Sequence, residues 1–289
     1  MKKKLPYLAL FALLVACSTP TAPPEEEATA SLRKHLIFHA SFDGQAAADY
    51  AVGSKVIRSA PSFDQRFEGI DGLDAHPFVK LANGRGKYGD ALEFTQKCKE
   101  VVFFSADQNL AYDSTDWDAT VSFWLQLDPA VDLQPGYCDP VQISDVGYND
   151  AGLWVDFTQN NPRQFRLGVI CELQEWDPEG KGPDNNPAFL DQLIAADTLP
   201  FSRQSWTHVA FSIENLNSAE GGSVRFYLNG APVGKREQIK DHFFWDEARA
   251  NIMLGLSYVG LMDELTVFDK ALNEAEIRQL YVLPAGLTK

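Results

Sequence analysis

Glu175, Asp177 and Glu179 follow a Glu-x-Asp-x-Glu spacing. Side chains alternate along a strand, so this spacing on a strand would direct three carboxylates to one surface. Two carboxyl groups about 5 Å apart can serve as nucleophile and acid/base on a glycosidic bond. The surrounding residues argue against a strand, because Pro178, Gly180, Gly182, Pro183 and Pro187 crowd the triplet. Proline removes a ladder donor, and this density of breakers reads as loop. The expectation is an acidic surface loop, and no catalytic residue is assigned.

The remaining chemistry-bearing residues form no reactive set. His39 and His208 fall inside strand patterns, where an imidazole serves the core or a sheet face, and His76 and His242 sit near loops without a nucleophile partner. The chain has no Gly-x-Ser-x-Gly, no His-Glu-x-x-His and no phosphate-cradling glycine loop. Aromatics beside amides or carboxylates can stack on sugar faces and bond hydroxyls. Tyr148-Asn149-Asp150, Glu175-Trp176-Asp177 and Phe243-Phe244-Trp245-Asp246 have that composition. The ligand-contact candidates are accordingly Tyr148, Asn149, Asp150, Trp176 and Trp245, whereas Trp124, Trp154 and Trp206 are expected in the core.

The elements that must position these groups are short strands. Candidates run at 35–43, 78–82, 91–95, 100–104, 119–127, 140–145, 153–157, 164–170, 206–214, 223–229, 232–237, 251–255 and 261–268. Gly, Pro and Asn punctuate them, which favours an all-β sandwich of two antiparallel sheets over an α/β layout. Val121, Phe123, Leu125 and Leu127 alternate with polar or opposite-face residues, and Asn229-Gly230 marks a tight hairpin turn. A short helix closes the chain, where Asn273 and Glu276 match a capping box.

The amino terminus reads differently. Met1-Lys2-Lys3-Lys4 precedes an apolar run at 5–16, the pattern of a signal peptide and too short for a bilayer span of roughly 20 residues. Residues 17–31 carry Ser, Thr, Pro and Glu25-Glu26-Glu27 with almost no apolar content, which reads as a disordered tether. The folded domain is expected at 32–289. The chain has 40 acidic against 25 basic residues, and the leader takes three lysines with it. That balance makes nucleic acid and anionic membranes poor partners for the domain itself.

Two resemblances follow. Leu14-Val15-Ala16-Cys17 resembles the bacterial lipobox, which implies cleavage before Cys17, its lipidation, and anchoring in the cell envelope. Ser18 in place of Asp implies the outer membrane or cell surface where there are two membranes. The segments opening at His35, Gly89, Asp118, Gln204, Ser223 and Gly260 resemble in order the landmarks of the laminin-G-like (concanavalin A-like) jelly-roll family over roughly 35–283. The resemblance implies a concanavalin A-like jelly roll, a fold that usually binds and displays and sometimes degrades glycans. It also implies a structural Ca²⁺ held by Asp43 and Asp263, and marks 137–150 and 172–199 as insertions.

With Cys17 lipidated, Cys98, Cys138 and Cys171 remain, and disulfides persist outside the cytosol. Cys138 precedes one strand candidate and Cys171 ends another, so that pair is expected first, with Cys98–Cys138 as its rival. The functional expectation is a surface lipoprotein that binds carbohydrate or another surface protein without catalysis. A glycan-degrading enzyme and a structural or adhesive envelope component are the alternatives.

Overall fold

The computed structural model describes residues 25–287. Two antiparallel sheets face each other across one apolar core. The first runs in the order Ala231–Ile239, Gly222–Leu228, Thr207–Leu216, Trp117–Gln126, Gly260–Phe268, Leu36–Ala40, Tyr50–Ala51. Ala91–Phe94 also pairs with Gly260–Phe268 and carries Val79–Ala82. The second runs Leu193–Ala196, Phe165–Ile170, Gly152–Phe157, Cys138–Ser144, Asn251–Leu256, Val101–Ser105, Arg58–Ala60, Ile70–Asp71.

Period-two patterning decides which side chains enter the core. Val121, Phe123 and Leu125 are buried between the sheets as the alternation requires. Leu153, Val155 and Phe157 on one strand, and Phe165, Leu167 and Val169 on its neighbour, fill the same core from the second sheet. The hairpin between Gly222–Leu228 and Ala231–Ile239 turns at Asn229 (φ 50°) and Gly230 (φ 72°), both left-handed as a two-residue turn of this hand demands. Gly230 also lies against Tyr281 of the closing helix, where a β-carbon would crowd the ring.

The outer face of the first sheet is covered by the helix Glu274–Val282. Its Asn273 side chain accepts from the Ala275 and Glu276 N–H groups, and Glu276 accepts from the Asn273 N–H, completing the expected capping box. Ile277 and Leu280 pack there with Ala210, Tyr227 and Phe268.

The amino-terminal expectation needs correction at its edge. The chain is helical over Glu25–Lys34 rather than disordered to Ser31, and Leu32 joins the apolar cluster beneath the closing helix. Burial of that leucine repays ordering that the polar composition alone would not. The leader, Cys17 and the first part of the tether lie outside the described residues. Among the described residues, no helix is long and apolar enough to cross a membrane.

The disulfide expectation is also corrected, since Cys98, Cys138 and Cys171 are all free thiols. Cys138 sits opposite Phe157 at one end of the strand Gly152–Phe157, whereas the Cys171 carbonyl accepts from Ala151 at the other end. At about 3.3 Å per residue, the length of that strand keeps the two sulfurs apart, well beyond disulfide reach.

A candidate ligand cavity on the open face of the second sheet

The outer face of the second sheet has no covering helix layer like that of the first, and a cavity of about 600 Å³ opens on it. Its floor follows from strand register. With Leu153, Val155 and Phe157 facing the core, Trp154 and Asp156 must point the other way, as must Arg166 and Gly168 on the neighbouring strand. The pairing sets Asp156 opposite Arg166, Trp154 opposite Gly168, Gln142 opposite Trp154 and Asp139 opposite Leu256. Asp139 and Asp156 stand beside each other because Cys138 pairs with Phe157.

The Trp154 indole lies over Gly168, whose missing side chain makes room for the ring. Its Nε1 is buried and has no hydrogen-bond partner. Arg166 donates two parallel bonds to Asp156, Nε to Oδ1 at 2.8 Å and Nη2 to Oδ2. Both members are nearly buried, with 11% and 4% of their side chains exposed. The guanidinium also lies 5.6 Å from the Tyr137 ring and 5.7 Å from the Trp154 ring.

Asp139 has no such partner. Burial, and then the neighbouring Asp156, hold its carboxyl well above the ordinary carboxylate range, against the pull of Arg166. Burial raises Asp156 as well, while the hydrogen bonds and charge of Arg166 draw it back. The floor thus pairs one ion-paired carboxylate with one unpartnered carboxyl whose pKa burial raises.

Two loops build the walls. Tyr148 and Asn149 rise on one side, with Tyr148 stacked on Phe63 at 4.1 Å between ring centroids. Pro183, Asp184, Asn185, Phe189 and Leu190 come from the insertion at 172–199. Asp177 fixes that insertion by accepting the Lys181 and Gly182 N–H groups, and Asn186 caps the short helix Pro187–Leu190. The insertion is not loop throughout, because Leu193–Ala196 adds an edge strand to the sheet.

Of the five contact candidates read from sequence, Tyr148 and Asn149 line the cavity. The other three brace its wall. Trp176 is buried, donates from Nε1 to the Asn149 carbonyl at 3.0 Å and packs on Phe189. Asp150 accepts the Leu173 N–H at 2.8 Å. Trp245 is buried against Tyr112 and Trp117 and donates to the Ala151 carbonyl at 2.6 Å. Large rings beside a long insertion found more apolar area to cover beneath the loops than above them.

The carboxylate triplet behaves as a loop. Glu175 ends the short helix Leu173–Trp176 and accepts from His242, Asp177 holds the turn, and Glu179 is exposed beside Lys181. His208 is fully buried, with Nε2 2.8 Å from the Ser122 hydroxyl, and His39 meets Glu264 at 3.3 Å. The Cys171 thiol lies among Glu175 and Asp241, with Arg236 3.5 Å from Asp241. Burial and those carboxylates push it up to about 12, so it is a poor nucleophile.

Asp43 and Asp263, expected to hold calcium, both grip the turn at 87–90. Tyr88 and Glu264 donate their N–H groups to Asp263, and Asp90 donates to Asp43 at 2.6 Å. Burial and the adjoining Glu264 raise the Asp263 carboxyl to about 8. Both Asp263 oxygens and Asp43 Oδ1 accept from these N–H donors. Neither residue belongs to a group of three close acidic, cysteine or histidine side chains among the described residues. The pair clasps that turn, and no part of the function is routed through a calcium ion.

The comparisons agree with this architecture. The family model described as the concanavalin A-like lectin/glucanases superfamily matches residues 103–278, and the chain belongs to that superfamily. Among solved structures, the ligand-binding domain of botulinum neurotoxin serotype D, in complex with N-acetylneuraminic acid, superimposes with a TM-score of 0.57 at 12% identity. The match covers 88% of this chain and 52% of that one. The binding domain of botulinum neurotoxin DC, in complex with rat synaptotagmin II, gives 0.53 at 14% identity over 86% and 52%. The chain thus spans about half the length of these neurotoxin binding domains, and the likeness at such identity is one of fold. Comparison with curated protein sequences finds no match.

Proposed function

We propose that this protein is an envelope-anchored carbohydrate-binding module, tethered through lipid on Cys17 and taking a sugar in the cavity over Trp154. The observation that carries the reading is the cavity floor, the nearly buried indole of Trp154 over Gly168 with the carboxyl groups of Asp139 and Asp156 beside it. A sugar ring presents an apolar face to such a platform and hydroxyls to such acceptors. The fold supports the reading, since binding domains similar to it in shape include ones complexed with a sugar and with a protein. Fold alone does not assign the ligand.

A second reading, a glycan-cleaving enzyme, draws on one observation: two carboxyl groups share the floor, and burial raises the pKa of one of them, Asp139. It is the weaker reading because both oxygens of Asp156 are held by Arg166, which leaves no free carboxylate beside Asp139 on the floor. The chain from Ser18, which contains every described residue, can be applied to a broad glycan array beside its Trp154→Ala variant. Binding that the variant loses supports the module, and release of shortened glycan from bound spots supports the enzyme. Silence from both proteins moves the reading to a protein partner.

A further inference from the structure

We infer that the sugar taken by this cavity is one without an acidic group, a neutral or amino sugar whose hydroxyl or ammonium hydrogens meet Asp139. The inference rests on the reading of the cavity as a glycan site and narrows it to a ligand class.

The charge of the lining comes first. Asp139, Asp156 and Asp184 line the cavity against a single cation, Arg166. Recognition of a carboxylate or sulfate asks for a guanidinium with a free fork. Both arms of the Arg166 fork that face Asp156 are already engaged, in a pair that is almost wholly buried. An acidic sugar would have to displace Asp156 and leave that carboxylate buried and unpaired, which is costly.

The unpartnered groups point the same way. Asp139 is held by no hydrogen bond among the described residues, and beside it stand Asp156 and Arg166. An unpartnered carboxyl exchanges hydrogen bonds with a ligand hydroxyl, whereas a ligand carboxylate in this cavity meets the like charge of Asp156 and Asp184. Gln159 and Asn185 add amides at the rim, which serve hydroxyls as donor or acceptor. The whole chain, with 40 acidic and 25 basic residues, repels polyanionic glycans before contact.

The test compares matched oligosaccharide sets by titration calorimetry at neutral pH with the chain from Ser18. One set is neutral or amino-bearing, and the other carries uronic acid, sialic acid or sulfate on the same backbones. The expected result is binding in the first set at least tenfold tighter than in the second. Asp139→Ala, which removes the unpartnered carboxyl, is expected to weaken binding in the first set at least threefold.

Acidic glycans bound as tightly as neutral ones, with the binding lost in Trp154→Ala, would overturn this inference and leave the cavity reading standing. Glycan binding that Trp154→Ala does not weaken overturns the cavity reading, and this inference falls with it. Absence of binding in both sets has the same consequence. Melting curves of both variants separate lost binding from lost folding.

Discussion

Gly168 lies beneath the indole of Trp154, with no room between them for a β-carbon. Glycine inside a strand is ordinarily a weakness, since it costs backbone entropy and packs nothing. Here it lowers the sheet by one side chain, so that the ring can lie over it and form a floor. Gly168→Ala is therefore expected to tilt or lift Trp154. The strain should cost about 1–3 kcal/mol of stability, and glycan affinity should fall at least tenfold. Denaturant melts and calorimetry on the same preparation check both effects. An alanine variant with unchanged affinity would remove Trp154 from the site.

The Asp156–Arg166 pair is the second testable feature. Asp156→Asn leaves a nearly buried guanidinium without its counter-charge, which should cost about 3–5 kcal/mol. The double variant Asp156→Leu, Arg166→Met removes both charges and should be close to wild type in stability. Urea unfolding of the single and double variants reads the difference. Equal losses in both would show that the charges contribute through packing alone.

His208 makes stability depend on pH. Burial, and then the charge of Lys87, hold its imidazole at about 3, against about 6.5 in an unfolded chain. Between those values the unfolded chain binds a proton that the folded one does not. The stabilisation is complete above about pH 6.5 and is lost as pH falls toward 3. The drop in unfolding free energy from pH 7 to pH 4.5 should be about 2 kcal/mol smaller in His208→Gln than in the wild type. Identical drops would mean that the imidazole is protonated without unfolding.

The cysteines give a simple chemical check. With Cys98, Cys138 and Cys171 all free, the chain from Ser18 should migrate identically with and without reductant. A thiol reagent should find all three sulfurs once the protein is unfolded, and the buried Cys138 should resist it in the folded state. Fewer reactive thiols after unfolding without reductant would restore a disulfide.

Much of the fold was legible in the sequence. Alternation at Val121, Phe123 and Leu125, the Asn229-Gly230 turn and the Asn273 cap are local patterns, and each has the structure its pattern requires. The site was only half legible. Tyr148 and Asn149 stood out as a loop aromatic beside an amide, and Trp154, expected in the core, is buried at 4% exposed. Its strand turns it, with Asp156, to the face opposite Leu153, Val155 and Phe157, where Phe189 of the insertion packs near it. Asp139, Asp156 and Arg166 come together from three strands only through sheet register. Register depends on pairing across the sheet, and spacing along one chain does not reveal it. Trp176 and Trp245 misled because their indoles turn under the insertion and donate to loop carbonyls.

The central claim, that the cavity over Trp154 is where the ligand sits, is tested most directly by the indole N–H resonances of the chain's six tryptophans. The indoles of Trp117, Trp176 and Trp245 are each tied to a backbone carbonyl, whereas the Trp154 Nε1 has no partner. Titrating a glycan that binds on the array into ¹⁵N-labelled protein should shift the Trp154 signal most, with those three held near their starting positions. A glycan that binds while the Trp154 signal stays in place would contradict the account and put the site elsewhere on the sandwich.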